Sequence, residues 1–136
     1  MKELRIDAQV DNLRQVLDFV DTELELLDCP VKTQMQLDIA VEEIFVNIAY
    51  YAYTPKTGEA LIQFESRSND SMVAIIFTDS GVPYNPLAKE DPDITLPGEE
   101  RQIGGLGIFM VKKTMDDMKY EYKDGKNILT LIKKIK

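Results

Sequence analysis

Three glycines stand at the entrance of an apolar helical segment in the stretch Ile103–Met115, IGGLGIFMVKKTM. Glycine is costly in a helix, because it loses more backbone freedom on folding than any other residue. At the start of a helix, however, glycines let the backbone approach a ligand closely, and the unpaired N–H groups there favour anions. A hinge that only needs small residues is the alternative explanation. The stretch alone leaves both interpretations open.

The composition restricts the class of protein. The chain has 136 residues, of which 44% are hydrophobic and 29% charged, as is typical of a soluble domain with one core. The 16 basic and 24 acidic residues give a net charge of −8, which disfavours a nucleic-acid partner. There is no histidine, so histidine bases and phospho-accepting histidines are excluded. With a single cysteine and no membrane-length apolar run, we expect one cytoplasmic domain, residues 1–136.

Hydrophobic periodicity predicts the order of helices and strands. Alternation predicts strands over residues 4–10, 60–65, 72–78, 119–123 and 127–134, and a helical period predicts helices over 12–27, 32–52 and 104–117. Residues 79–102 contain four prolines and no periodicity, so we expect a long functional loop there. The two hairpins in this order predict a two-layer α/β sandwich, in which three helices cover one face of a mixed, mainly antiparallel sheet. The second helix is apolar on nearly every side, Ile39 included, and should be largely buried.

A carboxylate and an amide lie one turn apart within that apolar second helix. Glu43 and Asn47 are four residues apart and share one face. Such groups are costly among apolar neighbours unless they are paired or used. A structural pairing explains them as well as a site does. In a site, the Asn47 oxygen suits Mg²⁺ and a carboxylate could activate a hydroxyl, a role for which the adjacent Glu42 competes.

An acidic residue ends the second strand of the first hairpin, in the sequence FTDSGVP. Asp79 stands at that strand end, and Gly81 follows it. Because a carboxylate only accepts hydrogen bonds, Asp79 could bind an exocyclic amine such as that of adenine. For this motif taken alone, an Asx-turn that closes the strand is the simpler alternative.

The order of these three motifs resembles the GHKL ATPases, the histidine-kinase-like and Hsp90-like ATP-binding domains. Within that superfamily the chain is similar to the bacterial anti-sigma factor serine-protein kinases. The narrower likeness rests on DSGVPYNP after the strand, on GGLGIFMVKKTMDD, and on the closing YEYKDGKNILTL. It covers essentially residues 5–135.

The resemblance implies a role for each motif. Asn47 is the expected Mg²⁺ ligand and Glu43 the general base toward a serine hydroxyl. Asp79 is expected to contact the adenine amine, Gly81 to give the base room, and Thr130 to support the adenine end. The ATP lid is expected at about residues 80–103. The expected phosphate-binding residues are Gly104, Gly105, Leu106 and Gly107.

Two positions differ from the family pattern. Tyr51 stands where many relatives carry a histidine, and Arg101 lies further from the glycines than the arginine that contacts the γ-phosphate in some relatives. Lys112 or Lys113 could replace that arginine, although a solvated helix face is the alternative for both.

The resemblance also implies partners and a mechanism. The partners would be a sigma factor, which the protein would sequester, and a STAS-type anti-sigma antagonist, which it would phosphorylate on serine. A homodimer is expected as well. Two other functions stay open: a non-catalytic binding module gated by nucleotide, and the detached catalytic half of a histidine kinase.

Overall fold

A computed structural model describes residues 1–88 and 105–136 of the chain. The strands are β1 (Lys2–Asp7), β2 (Glu59–Arg67), β3 (Met72–Asp79), β4 (Asp117–Lys123) and β5 (Lys126–Lys134). The α-helices in this part of the chain are α1 (Leu13–Leu26), α2 (Val31–Asn47) and α3 (Gly105–Thr114). Short 3₁₀ turns cover Val10–Asn12 and Pro86–Ala88. The predicted order of helices and strands is confirmed.

The five strands form one sheet in the order β1-β2-β3-β5-β4, and every pairing between them is antiparallel. The register aligns Ile62 with Phe77 and Phe77 with Leu129 on the face that packs on the helices. Alternate residues of each strand point to opposite faces. Asp79, two residues beyond Phe77, therefore lies on the helix-covered face and pairs with Asn127.

The middle helix of the covering layer is α2, which packs against both α1 and α3. Helix α1 buries Val16, Val20 and Leu24 at four-residue intervals, as its predicted apolar stripe requires. The prediction that α2 is largely buried is wrong. Its outer face is open to solvent, and Ile39 is 60% exposed, because a helix in a single layer over a sheet has one side without a neighbour.

Several element boundaries differ from the predicted ones: β1 ends at Asp7, and α2 ends at Asn47 and continues as a π-helical turn over Ile48–Ala52. Hydrogen bonds account for the end of α3 and the start of α1. Helix α3 ends at Thr114 because the backbone N–H of Asp116 donates to Ile132 O at 2.9 Å, which joins the chain to the sheet. At the start of α1, Asn12 does not cap the helix with its side chain. Its Nδ2 donates instead to the carbonyl of Asp7 at 2.9 Å. Within the described ranges, no helix is long and apolar enough to cross a membrane.

An acid pair lies between α1 and α2. The Asp21 and Asp38 side chains interact, and the Oδ1 atom of each is buried with no hydrogen-bond donor near it among the described residues. Burial raises the pKa of Asp38 to about 8, and the hydrogen bond and charge of Asp21 and the charge of Glu25 add to the shift. Such a hydrogen bond requires a proton on one of the two carboxyl groups.

This pair predicts a pH-dependent stability. Because the pKa of Asp38 is higher in the folded protein than its ordinary 3.8, the folded protein holds a proton that the unfolded chain releases. The free energy of unfolding therefore falls as the pH rises from about 4 to about 8. Asp38→Asn should remove the part of this pH-dependent loss of stability that comes from the Asp38 carboxyl group. Its Tm at pH 8.5 should therefore exceed that of the wild type by roughly 2–5 °C.

The measurement is thermal unfolding by circular dichroism at pH 5.5 and pH 8.5. Asp11→Asn, on an exposed residue, is the matched control and should follow the wild type at both values. Identical pH dependence in the wild type and Asp38→Asn would contradict the assignment.

Candidate functional site

A cavity of about 140 Å³ opens where the C-terminal end of α2 meets the ends of β3 and β5. Its walls are mostly apolar or aromatic, and they include Ile44, Tyr51, Phe77, Tyr84, Ile108 and Leu129. Four other side chains in the wall carry groups that form hydrogen bonds: Asn47, Asp79, Tyr120 and Asn127. An apolar cleft with a few convergent polar groups is the usual form of a small-molecule site.

Asp79 is a buried carboxylate in this wall, with only 7% of its surface exposed. It is the last residue of β3, and the strand alternation turns it toward the helices. Its Oδ1 accepts two hydrogen bonds of 2.9 Å, from the backbone N–H of Gly81 and from Nδ2 of Asn127. The Asx-turn considered from the sequence is therefore present. The same carboxylate also lines the cavity, so the two interpretations do not exclude each other.

Asn127, the partner of Asp79, has no place among the site residues predicted from the sequence. It is 6% exposed and lies at the start of β5. Its Nδ2 donates to Asp79 and to the carbonyl of Val82, both at 2.9 Å. Its Oδ1 accepts from the backbone N–H of Tyr84 at 3.0 Å and from the hydroxyl of Tyr120 at 2.5 Å. In the sequence, an asparagine two residues after the turn glycine is typical of an ordinary hairpin, so no local signal distinguishes it.

Gly81 is needed for a contact that differs from the predicted one. A Cβ atom at this position would lie 2.2 Å from the carbonyl oxygen of Ala52. The next residue, Val82, donates its backbone N–H to that same oxygen at 2.9 Å. The glycine thus lets the segment after β3 pack on the π-helical turn Ile48–Ala52, which follows α2. The residue to which it gives room in this structure is Ala52, and Gly81 is not part of the cavity wall.

Glu43 lies against the first turn of α3. A Cβ atom at Gly107 would be 2.1 Å from the carboxyl carbon of Glu43 and within 2.4 Å of both its oxygens. Asn47 is one turn further along α2, and its Nδ2 donates to Oε1 of Glu43 at 3.3 Å. The predicted neighbours Glu43, Asn47 and Gly107 are therefore brought together. A carboxylate at a helix N-terminus is also favoured by the helix dipole.

The other residues that the sequence analysis considers for the base, for the phosphate contact and for the histidine position lie in different surroundings. Glu42 is exposed, whereas Glu43 is partly buried against α3. On α3, the Nζ of Lys113 lies 5.4 Å from the centre of the Phe109 ring, as in a cation–π contact. Tyr51 lines the cavity and is 58% exposed, so it stands at the rim.

Thr130 is not at the cavity, contrary to the prediction. The register pairs it with Ile76 and Lys119 on the sheet face that the helices do not cover. Asn127 and Leu129 occupy the wall instead, because odd-numbered residues of β5 face the helices.

Part of the predicted phosphate-binding set lies outside the described residues. That part is Gly104, together with residues 89–103 of the predicted lid. Gly105 is the first residue of α3, and Leu106 follows it within the helix. Of the predicted set, Gly107 is the residue for which the structure gives a side-chain neighbour, Glu43.

The family model described as the histidine kinase-like ATPase domain matches residues 6–133 of the chain. The chain belongs to this family. The match includes every site residue discussed above, the whole of β2, β3 and β4, the last two residues of β1, and β5 up to Lys133.

Comparisons with individual proteins agree with the family. The chain is 32% identical over 97 residues to the serine-protein kinase RsbW of Bacillus cereus (strain AH820), over 68% of this chain and 59% of that protein. It is 28% identical over 100 residues to the serine/threonine-protein kinase BtrW of Bordetella bronchiseptica, over 74% of this chain and 70% of that protein. The alignments thus span about three fifths of the length of the RsbW relative and more of the BtrW relative.

One solved structure supports the fold. The histidine kinase domain of the blue-light activated histidine kinase from Erythrobacter litoralis EL346 superimposes with a TM-score of 0.51. The superposition covers 78% of this chain and 46% of that one, with 14% sequence identity. The architecture of this chain is that of a histidine kinase-like ATPase domain.

The cavity of this histidine kinase-like ATPase domain fits an adenine nucleotide. Its apolar walls suit a base, and Tyr51 and Tyr84 supply aromatic surface at the rim. The two hydrogen bonds that described residues donate to the Asp79 side chain both end on Oδ1, so Oδ2 can accept from an exocyclic amine. For a Mg²⁺ ion, the amide oxygen of Asn47 offers a hard ligand, since the hydrogen bond to Glu43 uses only its Nδ2. Mg²⁺ usually takes few ligands from protein and the others from phosphates and water.

The contact at Gly81 predicts a loss of stability on substitution. In Gly81→Ala the added methyl group would meet the backbone of Ala52, which cannot move without disturbing the π-helical turn Ile48–Ala52. We expect the free energy of unfolding to fall by about 2 kcal/mol, measured by urea denaturation. Gly107→Ala is the comparison, because its methyl group meets the end of a flexible side chain, and it should be the more stable variant. A Gly81→Ala protein as stable as the wild type would contradict this close approach.

Proposed function

We propose that this protein is an ATP-dependent protein-serine kinase that also acts as an anti-sigma factor. ATP binding is supported by the family and by the buried carboxylate in an apolar cavity. The kinase activity is supported by relatives that are named serine-protein kinases. The observation that favours it most is the position of Glu43, beside Asn47 and against the first turn of α3.

In this proposal each side chain has a separate task. Asp79 accepts a hydrogen bond from the amine of adenine, while the start of α3 faces the phosphates through its backbone N–H groups. Asn47 supplies an oxygen to Mg²⁺, which offsets the negative charge of the phosphates when it is bound. Phosphoryl transfer depends mainly on such positioning and charge stabilisation.

Glu43 would act as the base. Its carboxylate would accept the proton of the attacking serine hydroxyl, and Asn47 Nδ2 fixes its orientation by a hydrogen bond to Oε1. Because the glycine at position 107 leaves room for the carboxylate, the base and the phosphate-binding helix start can occupy neighbouring positions.

The proposed partners follow the resemblance in the sequence. The phosphate acceptor would be a STAS-type anti-sigma antagonist, and the sequestered protein would be a sigma factor, within a homodimer of this chain. Its net charge of −8 disfavours direct binding to nucleic acid and favours partners with basic surfaces.

Replacing the proposed base tests the kinase activity. Glu43→Gln keeps the shape and the hydrogen bond to Asn47 but removes the proton acceptor. We expect transfer from γ-labelled ATP to the STAS-type proteins of the same genome to fall by roughly 100-fold or more, with ATP affinity within about 3-fold of wild type. The measurement is a phosphorylation assay with a parallel calorimetric titration.

Glu42→Gln is the matched control, because the neighbouring carboxylate is exposed. It should transfer phosphate like the wild type. Undiminished transfer by Glu43→Gln would refute the base assignment. Tight ATP binding without transfer by the wild type would favour the second candidate, a non-catalytic module that uses nucleotide to control a protein-binding surface.

A further inference from the structure

We propose that Asn127 is a positioning residue that determines nucleobase specificity by holding the Asp79 carboxylate in one orientation. The inference rests on the proposed function, since it concerns the base of the nucleotide that the cavity would bind. The ligand class that it selects is a purine nucleotide with an amino group at position 6.

The hydrogen bonds of Asn127 define its amide orientation. Nδ2 meets the carboxylate of Asp79 and the carbonyl of Val82, which can only accept. Oδ1 meets the backbone N–H of Tyr84, which can only donate. If the Asn127 amide were rotated by 180°, its oxygen would face the acceptors of Asp79 and Val82, and its NH₂ group would face the N–H of Tyr84. The side chain therefore has one favourable orientation.

Every donor and acceptor position of the Asn127 amide also takes part in a hydrogen bond. Its two N–H groups and two acceptor positions are matched by Asp79, Val82, Tyr84 and Tyr120. Tyr120 donates its hydroxyl proton to Oδ1 at 2.5 Å. Burial raises the pKa of Tyr120, and the charge of Asp79 raises it further, so this proton stays in place at neutral pH. A buried polar side chain with all its hydrogen bonds made is rigid and costly to disturb.

The consequence for Asp79 is that its two oxygens are unlike. Oδ1 is engaged by Asn127 and by the N–H of Gly81, both at 2.9 Å. Oδ2 is thereby turned to accept a hydrogen bond from a base. A 6-amino group can donate to it, whereas the 6-oxo group of inosine or guanine would place oxygen against oxygen. Sites built around such a buried acceptor reject analogues that lack the donor.

Asn127 also joins Asp79 to the rim of the cavity. Val82 and Tyr84 lie in the segment after β3, and both are bound to the amide that orients Asp79. The Asn127 side chain therefore affects both the orientation of the carboxylate and the position of Tyr84, while Val82 is also held by its N–H bond to the carbonyl of Ala52. Without Asn127, the Asp79 carboxylate would keep only the N–H of Gly81 as a fixed donor, and its plane could turn so that no oxygen points at the 6-amino group.

The test is a calorimetric comparison of ATP and ITP binding to the whole chain. We expect the wild type to bind ATP at least about 100-fold more tightly than ITP. In Asn127→Ala this ratio should fall by about 10-fold or more, because ATP loses affinity and ITP does not lose it to the same extent. Ile128→Val, the next residue on β5 but on the other sheet face, should keep the wild-type ratio.

A purely structural role for Asn127 would weaken ATP and ITP binding equally, and an unchanged ratio in a folded variant would overturn the inference. Folding is checked by circular dichroism. If Asn127→Ala does not fold, Tyr120→Phe decides, since it removes one of the four hydrogen bonds and should lower the ratio by about 3-fold. An unchanged ratio there would overturn the inference as well. A wild type that binds no ATP would refute the proposed function itself, whereas ATP binding with an unchanged ratio refutes this inference alone.

Discussion

The burial of the Asp79 carboxylate is the constraint on which the rest of the site depends. A carboxylate with 7% exposure is costly unless its oxygens are hydrogen-bonded, so neighbouring residues must supply donors. Gly81 and Asn127 supply two of them. The Gly81 backbone can turn back toward Asp79 only because the absent side chain leaves room for Ala52. The Asn127 donor in turn fixes Val82 and Tyr84.

A second contact connects α2 and α3. Glu43 on α2 fills the space that the missing side chain of Gly107 leaves at the start of α3. The conformational cost of a glycine in this helix thus has a definite cause in the structure, which is close packing against a carboxylate. Close packing is a different explanation for this glycine from the hinge considered in the sequence analysis. It is compatible with the anion-binding role that the glycine cluster suggests by itself. A helix start that faces both a carboxylate and a triphosphate would hold base and phosphate at neighbouring positions.

The sequence predicts most of the fold, because its strands alternate clearly and α1 has a regular apolar stripe. It fails for the exposure of Ile39, since an apolar helix pattern cannot show which side lacks a neighbour. It also fails for the end of α3, where the hydrogen bond from Asp116 to Ile132 joins residues far apart in the chain.

For the site, the spacing of Glu43 and Asn47 identifies a real neighbourhood, because residues four apart on a helix must meet. Thr130 is misplaced since the register of β5 decides which residues face the cavity, and a shift of one residue changes the face. Asn127 is missed because its importance comes from Asp79, 48 positions away. Gly104 and residues 89–103 lie outside the described residues, so the expectations for the lid stay predictions.

The central claim is that the cavity beside Asp79 binds ATP through this carboxylate. Calorimetric titration of the wild type and of Asp79→Asn with ATP and Mg²⁺ tests it most directly. We expect saturable binding to the wild type and a loss of ATP affinity of about 100-fold or more in Asp79→Asn, with native circular dichroism retained. Equal ATP affinity in the two proteins would contradict it.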